Sequence, residues 1–573
     1  MSGRTLPESR DYEALQFPYR KAPDHAAPAP LRYPVVIVGA GPVGLALAID
    51  LAQQGVSVLL LDDDDRLSSG SRAICFAKRT LEIFDRLGCA DPMVAKGVSW
   101  NVGRVYFREA QLYTFNLLPE PGHERPAFIN LQQYYVEGYL ADRAAALPNL
   151  EMRWKSAVNG VEVRADHVRL TVETPDGPYV LEAEYVAACD GSKSALRGLL
   201  GLEATGRTFR DRFLIADIRM DAPDFPAERR FWFDPTFHPG QSVLLHKQAD
   251  GLWRTDFQLG WHADPQAERQ PERIRPRIRA LLDSIGAPHV EFEIGWASVY
   301  TFACQRLERF RHGRVIFAGD AAHGVSPFGA RGANSGVQDA ENLAWKLAAV
   351  LQGRAGDLLL DSYAAERDYA ADENIANSTR ATDFITPKSE VSRLFRDATL
   401  DLAKTHRFAR SLVNSGRLSV PATLRESPLN TPDTDTFSGA MQPGAPAADA
   451  PVQAEGAAPG WLLRELHGAR FKALLFGGTN VAARVQDLQQ AAHGLAPLQV
   501  LVVVRPGSSP AQVEGARSLV DVQGLLTQRY DGRDGTLILL RPDQHVCARW
   551  RRTDPHALRA ALRRALALPD LLT

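Results

Sequence analysis

Cysteine is scarce in this sequence: 573 residues contain five, Cys75, Cys89, Cys189, Cys304 and Cys547. They form no CxxC pair and their number is odd, so neither a disulfide framework nor a zinc or other metal site is expected, and a reducing cytoplasm is the expected setting. No sign of charge dominates, with 66 Lys+Arg against 68 Asp+Glu and a formal net of −2. Neither nucleic acid nor an anionic membrane is therefore expected as a partner. No apolar run is long enough to cross a bilayer, and the first thirty residues mix Pro, Ala and charge without an apolar signal core. Neither a membrane helix nor a signal peptide is expected. Internal repeats are absent too. What remains is an ordinary globular balance, 45% hydrophobic and 23% charged, in a chain long enough for roughly two to four domains.

Near the front, Val35–Val38 reads as a short buried strand, Pro42–Gln54 as a helix with Pro near its start, and Val56–Leu61 as a second strand. This is a right-handed βαβ unit. Between strand and helix lies Gly39-Ala-Gly41-Pro42-Val43-Gly44, a G-x-G-x-x-G turn. Gly39 permits the tight turn, Gly41 lets a pyrophosphate approach the backbone, and Gly44 lets the helix pack close to the sheet. The helix N-terminus offers unpaired N–H groups and partial positive charge to phosphates. Asp62, closing the second strand, can accept hydrogen bonds from ribose hydroxyls, while Asp63–Asp65 read as a solvated turn. The motif predicts a dinucleotide and does not separate NAD from FAD.

Two later apolar strands also end in acidic turns. Tyr185–Ala188 leads to Cys189-Asp190-Gly191 and Val315–Ala318 leads to Gly319-Asp320. Taken with the first turn, the segments Asp190-Gly191-Ser-Lys-Ser-Ala-Leu-Arg197 and Gly319–Lys346 resemble, in order and spacing, the motifs of the group A flavoprotein aromatic hydroxylases. The resemblance extends over nearly the whole chain. It implies FAD as the tightly held cofactor, and NADPH or NADH as a transient reductant without its own Rossmann domain, in keeping with the single fingerprint. It further implies O2 as co-substrate and a C4a-hydroperoxide that passes its distal oxygen to an electron-rich phenolic ring. Arg72 matches a contact to the FAD pyrophosphate and Gln133 a residue near the phosphates. Asp190 and Gly191 match the point where FAD and the nicotinamide pass, supported by Arg197. Gly319 and Asp320 match the ribityl site and Pro327 the ring face. A helix opening at Gly332, Ala333 and Asn334 would point its N–H groups at the negative edge of reduced flavin. The competing enzyme class, a flavin oxidase or dehydrogenase without oxygen insertion, shares the Gly39 motif but usually not the paired Asp190 and Asp320 motifs.

The fold class expected is α/β with α+β insertions. A leader over 1–32 precedes a Rossmann-like FAD-binding domain over 33–205 and 300–360. An antiparallel substrate sheet covers 206–299, read from alternation in Phe213–Met220 and Val243–His246. A helical segment follows over 361–440, then an Ala/Pro/Gly-rich linker over 441–459. The α/β rhythm over 460–573, with Arg541-Pro542-Asp543, resembles the thioredoxin-like domain of the phenol hydroxylase branch. Because Cys547 has no partner there, that unit is expected to be structural or oligomeric rather than redox-active. Tyr363–Ser415 is a candidate homodimer face or, equally, a set of intramolecular surface helices.

Candidates for the aromatic-substrate wall are Phe231, Trp232, His246, Trp253, Arg254, Phe257 and Tyr300, of which strand alternation sends only half inward. His246, Arg254 and Tyr300, with Pro327, are the residues singled out for the reacting ring. His323 is expected to hold its loop rather than act as a base. A phenol reacts better as phenolate, so a base or hydrogen-bond chain should touch its hydroxyl.

Overall fold

The computed structural model describes residues 12–68, 73–222, 225–413, 418–507 and 512–569. Its first sheet orders the strands Val315–Phe317, Tyr179–Ala188, Leu31–Val38, Val58–Leu61 and Leu150–Arg153, all parallel. Helices cover such a sheet on both faces, so its strands read as unbroken apolar runs rather than alternating ones; Val35 through Leu61 shows this, with all of Val58–Leu61 buried. Register then does what the sequence alone cannot. Val38 lies opposite Leu61 on one side and Ala188 on the other, and Ala188 lies opposite Phe317. The turns carrying Gly39, Asp62, Asp190 and Asp320 therefore leave one edge of the sheet side by side. Helices Pro42–Gln53 and Gly332–Leu351 pack against each other above that edge.

The second sheet has seven strands in the order Phe292–Tyr300, Arg212–Met220, Leu252–Leu259, Ser242–Lys247, Arg229–Phe233, Val102–Phe107 and Ala110–Asn116. Its last two strands fall inside the span expected to belong wholly to the FAD-binding domain. Val102–Phe107 pairs in parallel with Arg229–Phe233, more than a hundred residues later, a long-range contact that local alternation cannot reveal. One face of this sheet, bearing Trp232, Val243, Trp253 and Phe257, packs on Ile274, Ile278, Leu281 and Leu282 of the helix Pro271–Ser284.

Beyond it run the helices Leu358–Ile385, Glu390–Ala403 and Arg407–Leu412. No helix is found among the described residues from 418 to 440, so the helical segment is shorter than expected. The supposed linker over 441–459 is also built into the fold. Ala445, Ala447 and Ala450 are buried, and Pro451–Ala454 is a strand of the C-terminal sheet, antiparallel to Ala516–Asp521. Its small residues allow close packing rather than freedom: a Cβ on Gly444 would lie 2.3 Å from the Leu424 carbonyl oxygen. The same sheet contains Phe471–Phe476, Leu498–Val504, Leu537–Leu540 and Val546–Trp550. The leader lies over the first domain: Phe17 stacks on Trp154 at 4.0 Å, and Asp24 pairs with Arg153 at 2.7 Å.

The C-terminal unit is fastened by buried charge. Glu366 accepts from Lys346 at 2.7 Å and from Arg541 at 2.5 Å, and Arg541 also reaches Asp543 at 2.6 Å, all with fully buried side chains. No helix among the described residues is long and apolar enough to cross a membrane.

Candidate functional site

The Gly-rich turn is shaped by three different constraints. Gly39 has φ +103°, and a Cβ there would lie 2.4 Å from the Cys189 carbonyl oxygen. A Cβ on Gly44 would lie 1.9 Å from the Gly39 oxygen, so only glycine lets the helix sit this close. Gly41 differs: its backbone is ordinary extended chain, and a Cβ there would meet nothing within 4 Å. It faces open space at the start of a helix with no side-chain cap, whose first turn holds Pro42 and Val43. Val43 is the wedge on which the motifs converge, since Cβ atoms on Gly319 and Gly336 would lie 2.9 and 2.6 Å from it.

Asp62 braces the same turn, accepting from the Ala40 N–H at 2.5 Å and the Asp64 N–H at 2.9 Å. Burial pushes its carboxyl up to about 6, against the pull of those N–H groups. Asp190 accepts from the Leu196 N–H at 3.0 Å, while its buried Oδ1 has no partner; burial raises this carboxyl too. Gly191 turns with φ +75°, and Arg197 ties the loop to the Ala321 carbonyl at 3.2 Å. Gln133 accepts from the Ala73 N–H at 3.0 Å and donates to Ser68 at 2.9 Å, gripping both ends of the segment that contains Arg72. Arg72 itself lies outside the described residues.

The helix Gly332–Leu351 also starts without a side-chain cap. Ser335 is the first residue to reach an intrahelical acceptor, Arg331 O at 2.7 Å, which leaves the N–H groups of Gly332, Ala333 and Asn334 outside the helical ladder. Asp320, exposed at the strand end, lies beside that tip: a Cβ on Gly332 would be 3.9 Å from Asp320 Oδ1. Pro327 begins the turn before the helix, its carbonyl accepting from Ala330 at 3.2 Å. The Asn334 side chain departs from the cofactor-binding expectation. It accepts from Ala77 N–H and Thr80 and donates to the Cys75 and Ala330 carbonyls, so it braces the site from behind. Asp339, one turn deeper, accepts from Gly319 N–H, His323 and Arg367 at 2.9, 2.7 and 2.6 Å. His323 thus holds its loop. Open backbone at Gly41, two uncapped helix starts, and acids at the three strand ends form a donor and acceptor set that fits a dinucleotide with a polyol chain.

Facing this edge is the second sheet. Cross-strand register places Trp296, Asp217, Arg254 and His246 in one row, and the Arg230–Leu245 pairing puts Arg229 beside His246. Two residues along, on the same face, the next row includes Asp256, Leu244 and Phe231, and the third Tyr300 and Phe213. The Phe213 ring meets Phe328, next to Pro327, at 4.9 Å between centroids. Trp232, Trp253 and Phe257 of the expected wall point the other way, into the core on Pro271–Ser284. Phe231, His246, Arg254 and Tyr300 share the inner face.

Arg254 is engaged: its Nε and Nη2 donate to the two oxygens of Asp217 at 2.8 and 2.9 Å. It is therefore part of the wall, with its charge already matched. Two residues absent from the sequence-based candidates are less satisfied. Arg229 is 8% exposed, and no hydrogen bond or ion pair among the described residues reaches its guanidinium. Burial lowers its affinity for its proton, with Cys75, Asp256 and Tyr300 the charged or ionisable groups nearby. Asp256 has a buried Oδ1 without partner, and burial pushes its carboxyl up to about 6 although Arg254 and Arg229 oppose the shift. His246 Nδ1 is also without partner; burial, then Arg229 and Arg254, hold the ring neutral. Burial and Asp256 hold the Tyr300 hydroxyl protonated. The signal for both missed residues was strand alternation, Arg229 two before Phe231 and Asp256 two after Arg254.

Known proteins share this architecture. Residues 32–378 match the FAD binding domain family. The chain is 34% identical over 366 residues to the 3-(3-hydroxy-phenyl)propionate/3-hydroxycinnamic acid hydroxylase of Mycolicibacterium smegmatis. That match covers 63% of this chain and 63% of the relative, less than two thirds of its length. Identity to the 6-methylpretetramide 4-monooxygenase of Streptomyces rimosus is 31% over 552 residues, covering 94% of each chain. The crystal structure of a ternary complex of aklavinone-11 hydroxylase with FAD and aklavinone is similar with a TM-score of 0.74 at 25% identity, over 93% of this chain and 99% of that one.

Proposed function

We propose that this chain, which belongs to the FAD binding domain family, is a monooxygenase that inserts one atom of O2 into a phenol-like aromatic ring at the expense of NADPH or NADH. The observation that carries this is a sheet face with buried, unsatisfied polar groups whose Phe213 meets Phe328, in the segment between the Asp320 turn and the helix Gly332–Leu351, at the edge where the Gly39, Asp62, Asp190 and Asp320 turns converge. Relatives over both partial and nearly full length bear hydroxylase or monooxygenase names with aromatic substrates.

In this reading Gly41 and the N–H groups after it hold the pyrophosphate, Asp62 and Asp320 take the ribose and ribityl hydroxyls, and Asp190 with Gly191 lines the passage of the nicotinamide. The uncapped start of the helix at Gly332 would offer the N–H groups of Gly332, Ala333 and Asn334 to negative charge on a bound flavin. When bound, FAD would supply the redox chemistry. The chain contributes position and dryness. Phe213, Phe302 and Phe328 form an aromatic wall beside Pro327 that excludes water from the ring face. Five buried, unpaired cysteines suit a reducing compartment such as the cytoplasm.

The test is a panel of phenols added to the FAD-loaded enzyme under air with NADPH or NADH. Selected members should raise nicotinamide consumption above the substrate-free rate and yield hydroxylated product. A panel in which every oxidised product lacks a new oxygen would assign the enzyme to the oxidases or dehydrogenases instead.

A further inference from the structure

The helix Glu390–Ala403 is apolar on two opposite faces. One is covered: Leu400 and Ala403, with Ala409 and Val413 at the next helix, are buried in the cluster that includes Phe231, Phe233 and Phe328. The other is bare. Val391, Leu394, Phe395, Ala398 and Leu402 recur at i, i+3, i+4, i+7 and i+11, which at about 3.6 residues per turn is a single stripe. Val391, Leu394 and Phe395 are 78%, 71% and 59% exposed. The helix Arg407–Leu412 adds Phe408 and Leu412 at 62% and 49%. Among the described residues thirteen large apolar side chains are exposed, and six of them fall between 391 and 412, a concentration rather than a scatter. At roughly 150–200 Å² for each such side chain in full, the six present on the order of 600 Å². The largest apolar patch on a soluble monomer is about 300–600 Å², and patches of that size mark interaction surfaces.

Charge beside the stripe identifies what covers it. Glu390, Arg393, Asp397, Asp401 and Lys404 follow one another along a single flank, at i, i+3, i+7, i+11 and i+14. When two copies of a helix meet antiparallel about a two-fold axis, each flank faces the same flank of the other copy, and facing residue numbers have a constant sum. Centred on Asp397, that pairing sets Glu390 of one copy against Lys404 of the other and Arg393 against Asp401, each twice. Asp397 meets its own copy at the axis, where Arg396 Nε already donates to its carboxylate at 2.8 Å. We infer that this face joins two copies of the chain in a symmetric dimer, with the helices Glu390–Ala403 antiparallel across the axis. A standard interface covers about 800 Å² per partner and is about 65% apolar in homodimers, so it needs about 500 Å² of apolar surface from each copy. The stripe and its extension supply that area, and the charged flank supplies the rim. An anionic bilayer attracts faces rich in Lys and Arg, whereas this flank carries three acids against two bases. The helix is held by its buried side, so little ordering cost opposes association.

The test is sedimentation velocity of the FAD-loaded full chain over a concentration series. The parent protein should sediment as a dimer at about 10 µM chain, since interfaces of this size bind in the micromolar range or tighter. Phe395→Glu places a charge in the middle of the stripe at a position already exposed, so FAD content and circular dichroism should match the parent while the dimer dissociation constant rises at least about a hundredfold. A charge exchange reads the antiparallel register. Arg393→Glu alone and Asp401→Arg alone each set like charges against each other twice and should weaken the dimer about three- to tenfold. The double variant Arg393→Glu with Asp401→Arg should recover the parent value. A parent protein that is monomeric at every concentration would overturn the inference, and its co-sedimentation with vesicles of phosphatidylcholine and phosphatidylserine would give the stripe to a lipid surface instead. A dimer indifferent to Phe395→Glu would place the contact on another face, and two weakened single variants without recovery in the double would overturn the antiparallel pairing.

Discussion

Gly41→Leu should purify folded but nearly colourless. The Gly41 backbone is extended, with φ −72° and ψ −177°, a conformation open to any residue, and a Cβ there touches nothing within 4 Å. The added Cβ therefore asks nothing of the polypeptide, and the side chain enters the open space where the pyrophosphate is proposed to lie. FAD affinity should fall by at least about a hundredfold, as a side chain displaces the pyrophosphate from the helix N-terminus, while the melting temperature of the cofactor-free protein stays within a few degrees. Gly44→Ala makes the opposite prediction. Its methyl would lie 1.9 Å from the Gly39 carbonyl oxygen, so helix and strand must separate, at a cost of about 1–3 kcal/mol or more from overpacking. FAD titration with calorimetry of the cofactor-free proteins separates the two effects. A Gly41→Leu protein that stays fully yellow would remove the phosphate site from this turn.

Glu366→Ala should be the most destabilising of the substitutions considered. Glu366 matches two buried cations, Lys346 and Arg541, and also accepts from Asn342 at 2.7 Å and from Ser427. Removing it leaves those cations with Asp543 as the nearby anion, and breaking a buried pair in this way costs about 3–5 kcal/mol. Burial works against ionisation of Glu366, but Arg541 and Lys346 outweigh it and hold the carboxyl well below the usual carboxylate range. A depressed folded value means that the carboxylate's stabilising contribution is complete above the unfolded value of about 4.3 and is lost as the pH falls below it toward the folded one. The parent protein should therefore lose stability on acidification below about pH 4 more steeply than Glu366→Gln. Equal slopes in denaturant titrations across that range would show that the pair is not ionised as described. Lys346 and Asn342 lie on the helix Gly332–Leu351, whose other end is proposed to meet the flavin, so this network also anchors that helix to the C-terminal unit.

How much of this was legible beforehand differs by feature. The parallel strands and the Gly39–Gly44 turn were readable because their information is local: an apolar run, a breaker, a helix start. That Asp62, Asp190 and Asp320 leave one sheet edge together was implied by resemblance to a family; physically it depends on the register Leu61–Val38–Ala188–Phe317, which local pattern does not contain. Arg254 was visible as a charge inside an apolar strand, but its partner Asp217 lies on a neighbouring strand, so its neutralised state was not. Arg229 opens a strand and Asp256 shares a strand with Arg254 and Thr255; neither stands out until alternation is counted from Arg254 and His246. The boundary at 441–459 failed for a simpler reason: Ala, Pro and Gly serve tight packing as well as flexibility, and composition does not distinguish them.

The most direct test of the central claim is the fate of molecular oxygen. The FAD-loaded enzyme, given NADPH or NADH and a phenol that stimulates its consumption, is run under 18O2 and the product is weighed by mass spectrometry. The geometry of a dry aromatic wall beside the cofactor edge predicts one 18O atom per product molecule. Product without the label, with all the oxygen recovered as hydrogen peroxide, would contradict it.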